Sequence, residues 1–238
     1  MKVTKILSVI LVLCLILASF TACNSGNNAK AYDKSKAAFN LITDAYIATN
    51  DFSSDIYEAW NLGVNHRSSY DDDSEFKDFA DEMSIERVYI EQAVAKLLGK
   101  ESFSYGDWSL LPYMYNGSYF SAWVSVISKA YECSGQVAQI EARLNDAMAL
   151  MKELDNKYSD YTHYPTLKNY FTNTIAFLDF CRNPEGSFDQ VVETFNAYRN
   201  NAREYFFDLN YVFTDSLNGM EAKEEENAPE TTGAAAVA

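Results

Sequence analysis

The chain has 238 residues and a formal net charge of −15, from 34 acidic and 19 basic side chains. A nucleic acid would be repelled by this negative field, so it is not an expected partner. Once terminal segments are set aside, about 200 residues remain, which suits one domain or two small ones, and the helical periodicity favours one.

The first residues have the composition of an export signal. Lys2 and Lys5 form a short positive head, and an apolar run from Ile6 to Leu17 follows, with small residues just before Cys23. This run has the length of a cleaved signal and is too short for a stable membrane span. We therefore expect everything before Cys23 to be a signal peptide.

The cleavage region Phe20-Thr21-Ala22-Cys23 resembles the lipobox of bacterial lipoproteins. In that family the chain is cut just before the cysteine, whose sulfur carries a diacyl group. The resemblance covers residues 1–23 and departs from the pattern at Phe20, where leucine is usual. It implies lipidation of Cys23 and attachment to the extracytoplasmic face of the cell membrane, with about 0.8 kcal/mol from each buried methylene. The alternative is an ordinary secreted protein cut near Ala22.

Between the termini, apolar residues recur at steps of three and four, which predicts helices throughout. The strongest pattern is an unbroken heptad repeat from Tyr119 to Tyr158, in which Gly135 permits a kink. We call such a line of apolar residues along one face of a helix a seam. Weaker seams predict further helices over 29–62, 74–98, 165–181 and 187–212. We find no alternating strand pattern and expect an all-α fold, an antiparallel up-and-down bundle of four or five long helices with coiled-coil-like packing.

These patterns divide the chain into four segments. We predict a signal peptide over 1–22, a lipidated cysteine and tether over 23–28, a helical bundle over 29–217 and a disordered acidic and alanine-rich tail over 218–238.

The two cysteines of the bundle, Cys133 and Cys181, are expected to remain buried thiols. A hairpin turning near Tyr161 would offset them by about ten residues, or roughly 15 Å along the axis. A disulfide needs Cα atoms less than about 7 Å apart.

Three polar residues interrupt the apolar seams and form the first candidate site. Thr49 and Ser53 lie in the seam of the first helix, and Arg87 lies in that of the second. A buried arginine needs a carboxylate or an anionic ligand, so these residues predict an internal site for a small acid. The alternative is that Arg87 extends past the seam to Glu86, Glu91 or an aspartate of the first helix.

The aromatic segment 103–123 is the second candidate site. Exposed tyrosine and tryptophan rings anchor protein partners and stack on sugars, because they combine a large rigid area with a polar group. We expect Tyr105, Trp108, Tyr113 and Tyr115 to form such a surface. The alternative is that these rings cap the end of the bundle and are buried.

Motifs for catalysis or metal binding are absent from the sequence. It contains no Glu-x-x-His, no His-Glu-x-x-His, no Cys-x-x-Cys and no glycine-rich phosphate loop. Asp71, Asp73, Glu75 and Glu82 match spacings of a calcium loop, but Phe76 replaces the required glycine, so we interpret the cluster as an acidic helix cap. We expect no catalytic residue, no metal and no cofactor.

Two functions follow from this reading. The first is a lipid-anchored interaction protein that binds a protein or a glycan at the cell surface. The second is a binding or sensing domain for a small acid, with a pocket inside the bundle. The long seam could also serve a dimer, so the oligomeric state stays open.

Overall fold

The computed structural model describes residues 2–65 and 72–213, with side chains described over 28–65 and 74–213. All regular secondary structure in these ranges is helical, which confirms the all-α class. The helices are α1 (Lys2–Val64), α2 (Asp72–Asp81), α3 (Arg87–Leu97), α4 (Tyr105–Trp108), α5 (Leu111–Met114), α6 (Tyr119–Cys133), α7 (Gln136–Lys157), α8 (Tyr164–Arg182) and α9 (Phe188–Asn210).

Helices α1, α6 and α7 form the long axis of the fold. Gly63, near the end of α1, lies against Phe120 at the start of α6. Lys34, near the other end of the described side chains of α1, pairs with Glu153 near the end of α7, at 2.8 Å. The consecutive helices α6 and α7 therefore run antiparallel to α1 along its described length.

The hairpin of α8 and α9 packs along α1, and its contacts reach as far as Trp60, whose ring centroid lies 6.3 Å from that of Phe188 in α9. The Tyr170 hydroxyl donates to Thr43 at 3.4 Å, and the Cys181 thiol donates to the Thr49 carbonyl at 3.9 Å, so α8 runs parallel to α1. Helix α9 returns antiparallel, which brings Phe213 to Tyr32 with ring centroids 5.4 Å apart.

Helices α2 to α5 pack around the beginning of α6, at the end of the bundle opposite Tyr32. Phe79 of α2 meets Trp123 of α6 at 5.2 Å between ring centroids, and Trp108 of α4 stacks on Trp123 at 5.4 Å. Buried aromatic rings therefore form the core of this end.

Two of the expected long helices are interrupted, so the described residues form more helices than the four or five predicted. The seam from Tyr119 to Tyr158 is interrupted at Gly135, whose φ of +77° is a left-handed conformation that glycine adopts readily. The second expected helix is interrupted between α2 and α3. Within the described ranges, five helices have at least 15 residues and four have between 4 and 11.

The two cysteines of the bundle are free thiols, as predicted from their offset. Cys181 is buried, whereas Cys133 is only partly buried. Asp71 and the predicted tail over 218–238 lie outside the described residues, as does the side chain of Cys23. Phe76 lies inside α2 and is fully buried, which agrees with a helix rather than a calcium loop.

The contact between α1 and α6 depends on a glycine, which leads to the first prediction. A Cβ added at Gly63 would lie 2.4 Å from the Phe120 Cα and 2.8 Å from its nitrogen, and a backbone cannot move aside cheaply. We expect Gly63→Ala to lower the free energy of unfolding by about 2 kcal/mol, measured by urea denaturation with circular dichroism.

Gly106 provides the matched control. It lies in α4, and a Cβ added there would meet no heavy atom within 4 Å. Gly106→Ala should therefore leave stability unchanged or raise it by up to about 1 kcal/mol. Equal urea midpoints for Gly63→Ala and Gly106→Ala would contradict the close approach.

Candidate functional site

Arg87 is not inside the bundle, and the predicted internal site around it is wrong. It is the first residue of α3 and is partly exposed. Its Nε donates to Glu91 at 3.0 Å and its Nη2 donates to the Tyr105 hydroxyl at 2.5 Å. The bond to Glu91 is the main cause of the raised pKa of Arg87. The alternative, in which Glu91 neutralises Arg87, is confirmed.

Thr49 is buried and is satisfied within the helices. Its hydroxyl donates to the Ala45 carbonyl at 2.8 Å, one turn back along α1. Such a bond lets a polar residue occupy an apolar seam without a ligand. Thr49 therefore gives no support for a binding site.

Ser53 is also buried, and it does contact an arginine, which is Arg199 of α9. Arg199 donates from Nη2 to Ser53 Oγ at 2.8 Å and to Ser54 Oγ at 3.2 Å, and from Nε to Asn50 Oδ1 at 2.8 Å. We call these four residues the Arg199 cluster. It joins α9 to the middle of α1.

The charge of Arg199 is not neutralised within its cluster. The three acceptors are an amide and two hydroxyls, and no ion pair of Arg199 is found in the part of the chain that the structure describes. Burial lowers the pKa of Arg199, because the half-buried surroundings disfavour the charged form. Arg199 was not predicted as a site residue, although its position four residues after Phe195 indicated a place beside the apolar face of α9.

Most rings of the aromatic segment are partly or fully buried. Trp108, predicted to be exposed, is only 1% exposed and packs against Phe76, Phe79 and Trp123 with ring centroids 4.8 to 5.4 Å apart. The prediction for Trp108 is therefore wrong, because this ring fills the core at its end of the bundle. Tyr105 and Tyr115 are partly buried.

Only Tyr113 of the four predicted rings is freely exposed, at 81% of its surface. Leu110 and Met114 beside it are about half exposed, at 46% and 54%. We call Leu110, Tyr113 and Met114 the apolar tip. Large apolar side chains grouped on a surface often mark a contact with another molecule.

A buried carboxylate forms a third polar centre. Asp55 of α1 accepts hydrogen bonds from the backbone N–H groups of Ser84 and Ile85 at 2.9 and 3.1 Å, and from the hydroxyls of Ser84 and Tyr131 at 2.9 and 3.0 Å. Burial raises the pKa of Asp55, although these hydrogen bonds oppose the shift. The donors come from the break between α2 and α3 and from α6, so Asp55 holds that break in place.

A shallow depression of about 360 Å³ lies beside the break between α6 and α7. It touches neither the Arg199 cluster nor the apolar tip, and it is open to solvent. Its lining residues are Ala48, Glu86, Tyr89, Ser134, Gln136, Gln139 and Arg143.

Over the described ranges, no group of three or more His, Cys, Asp or Glu side chains is placed to hold a metal ion. None of the helices in the described part of the chain is both long and apolar enough to cross a bilayer. In comparisons with known proteins, no family model, no curated protein and no solved structure matches the chain.

Proposed function

We propose that the chain is an extracytoplasmic interaction protein, anchored to the membrane by lipid on Cys23, that binds a protein partner through the apolar tip. The exposure of Leu110, Tyr113 and Met114 carries this proposal. The resemblance of residues 1–23 to a lipoprotein signal supports the anchor.

The position of the apolar tip suits this role. It immediately precedes α6, whose first turn lies against Gly63 at the C-terminal end of α1. The part of α1 from Tyr32 to Gly63 is roughly 45 Å long at about 1.5 Å per residue. An anchor at Cys23 would therefore attach the end of the bundle that is far from the tip, which leaves the tip accessible to a partner.

Buried neighbours and local hydrogen bonds hold the apolar tip rigidly. Leu111 and Trp108 are fully buried beneath it, and Pro112 lies in the first turn of α5. Asp107 pairs with Lys100 and accepts the Ser104 N–H at 2.9 Å, which secures the short helix α4. A rigid surface loses less conformational entropy when it binds, which favours affinity.

The composition of the tip favours a protein over a glycan. Two of its three side chains, Leu110 and Met114, are aliphatic or thioether groups, and only Tyr113 presents an aromatic ring. Sugar recognition relies on flat ring faces, whereas methionine and tyrosine are common in protein interfaces. A glycan partner is therefore an outcome of the test rather than the proposal.

Site-specific photo-cross-linking in cells that export the full chain tests the proposal. A benzophenone amino acid replaces Tyr113, and in a matched control it replaces Phe207, an exposed ring on α9 at the other end of the bundle. We expect a discrete protein adduct from position 113 and none from position 207. Combining Leu110→Ser with Met114→Ser should reduce the adduct, because the remaining apolar contact is lost.

Three results would decide against the proposal as stated. The same adducts from both positions, or none from position 113, would contradict binding at the apolar tip. An adduct whose added mass is removed completely by glycosidases would replace the protein partner with a glycan. Cys23→Ser, followed by membrane fractionation, tests the anchor separately, since the bundle itself is unchanged by this substitution.

A further inference from the structure

We infer that the Arg199 cluster is a binding site for a small oxyanion, with Arg199 as its principal ligand and a carboxylate on an apolar body as the favoured class. This inference is independent of the proposed function, because the cluster lies on the middle of α1 and not at the apolar tip.

The hydrogen bonds of the cluster leave one edge of the guanidinium open. Nε and Nη2 are bound by Asn50, Ser53 and Ser54, whereas no acceptor for Nη1 is found among the described residues. A guanidinium that has lost part of its hydration without gaining a negative partner is stabilised by an anion. The open Nη1 edge is the place where such an anion can bind.

The cluster is oriented before any ligand arrives. The hydroxyls of Ser53 and Ser54 donate their own hydrogens to the Asn50 carbonyl at 2.7 and 3.1 Å, so their lone pairs face Arg199. Three acceptors on one face of α1 therefore fix the guanidinium plane. Charge-assisted hydrogen bonds to a carboxylate are strong when the donor is held in place in this way.

An exposed aromatic side chain beside the cluster favours a ligand with an apolar body. The Phe195 ring centroid lies 5.9 Å from the guanidinium carbon of Arg199. Tyr57 is near enough to interact electrostatically with Arg199, is 38% exposed and packs on Phe188 at 5.6 Å between ring centroids. Phe195 is 1% exposed and lies within the core, so only Tyr57 is open to a ligand. The aryl or alkyl group of a carboxylate could contact the Tyr57 ring, whereas inorganic phosphate has no apolar group to do so.

Other described arginines are less suited to the role. Arg87 is paired with Glu91 at 3.0 Å, and Arg182 is paired with Glu141 at 2.7 Å. Arg143 has no ion pair among the described residues, but it lines the open depression and lacks the three fixed acceptors. Arg143 is therefore the matched control.

A thermal-shift titration of the folded protein at low ionic strength, with benzoate, acetate, inorganic phosphate and chloride, tests the inference. We expect benzoate to raise the melting temperature most and chloride not at all, since a ligand of the folded state stabilises it by mass action. Arg199→Gln should weaken benzoate binding by about tenfold or more, as expected for the loss of a charged hydrogen bond. Arg143→Gln should bind as the wild type does.

The arginine side-chain NMR signals provide a second readout, in which binding is measured on the wild-type protein. The Nε–H resonance of Arg199, assigned with Arg199→Lys, should move on addition of benzoate. Stabilisation by benzoate that persists in Arg199→Gln, a shift confined to the Arg143 resonance, or no response to any of the oxyanions would overturn the inference. A response to phosphate that exceeds the response to benzoate would overturn the preference for an apolar carboxylate.

Discussion

Asp55→Ala is expected to lower the free energy of unfolding by about 3 kcal/mol, because a carboxylate that accepts four hydrogen bonds is removed. Ser84 is exposed, so its two donors can turn to water. Ile85 is 2% exposed, so its N–H would be left buried and unpaired. The buried Tyr131 hydroxyl would keep only its longer contact with Ser84 Oγ, at 3.4 Å. Urea denaturation followed by circular dichroism measures the loss.

Tyr131→Phe provides the graded control for this prediction. It removes one of the four donors and leaves the stacking of this ring on Phe52, at 4.2 Å between centroids, largely intact. We expect a loss of about 1 kcal/mol. If Asp55→Ala proves no more destabilising than Tyr131→Phe, the carboxylate does not hold the break between α2 and α3.

The pH dependence of stability gives a further check on Asp55. Its pKa is raised above the ordinary 3.8 because burial disfavours the charged form. A raised folded-state pKa means that the folded state binds the proton more tightly than the unfolded chain. The stabilisation that this difference in pKa gives the folded state is therefore fully present below the ordinary pKa of Asp55. It is lost as the pH rises through the raised pKa. The stability advantage of the wild type over Asp55→Ala should grow as the pH is lowered from neutral into this window.

The helical class was predictable because the seams repeat over many residues, and their burial confirms the pattern. Phe39, Ile42 and Ile56 of the first seam are fully buried, as are Leu154 and Leu167 further along the chain. Hydrophobic periodicity depends only on local spacing, so it is readable without knowledge of the tertiary contacts.

The helix breaks were less predictable, because their causes are distant in sequence. The break before Arg87 depends on Asp55, which caps the backbone of Ser84 and Ile85 from another helix. Periodicity continues across such a break, since both flanking segments still face the same core. Gly135 did indicate a possible kink, but a glycine inside a seam does not reveal whether the chain adopts the left-handed conformation.

The candidate site was predicted in part. Of the predicted residues, only Ser53 contacts a buried part of an arginine, and that arginine is Arg199, which was not predicted. The error came from the assumed pairing of neighbouring helices, whereas α9 reaches α1 from the far end of the chain. The aromatic segment was misjudged for a related reason, because composition cannot tell a ring that caps a core from one that faces solvent.

The second large effect is expected at Trp108, which supports the apolar tip. Trp108→Ala should lower the free energy of unfolding by about 4 kcal/mol, because it leaves a cavity between Phe76, Phe79 and Trp123. The same substitution should weaken cross-linking from position 113, since the tip loses its support. Urea denaturation and the cross-linking yield measure the two effects on the same variant.

Trp108→Phe separates packing from hydrogen bonding at this position. The buried indole Nε1 of Trp108 has no hydrogen-bond partner among the described residues, so its removal breaks no hydrogen bond there. A phenyl ring retains much of the stacking, and we expect a loss of only about 1.5 kcal/mol from the smaller volume. Near-wild-type cross-linking in Trp108→Phe together with a loss in Trp108→Ala would link rigidity of the tip to binding. An unaltered unfolding midpoint in Trp108→Ala would mean that this ring does not support the end of the bundle. The claim that Trp108 holds the apolar tip rigid would then be wrong.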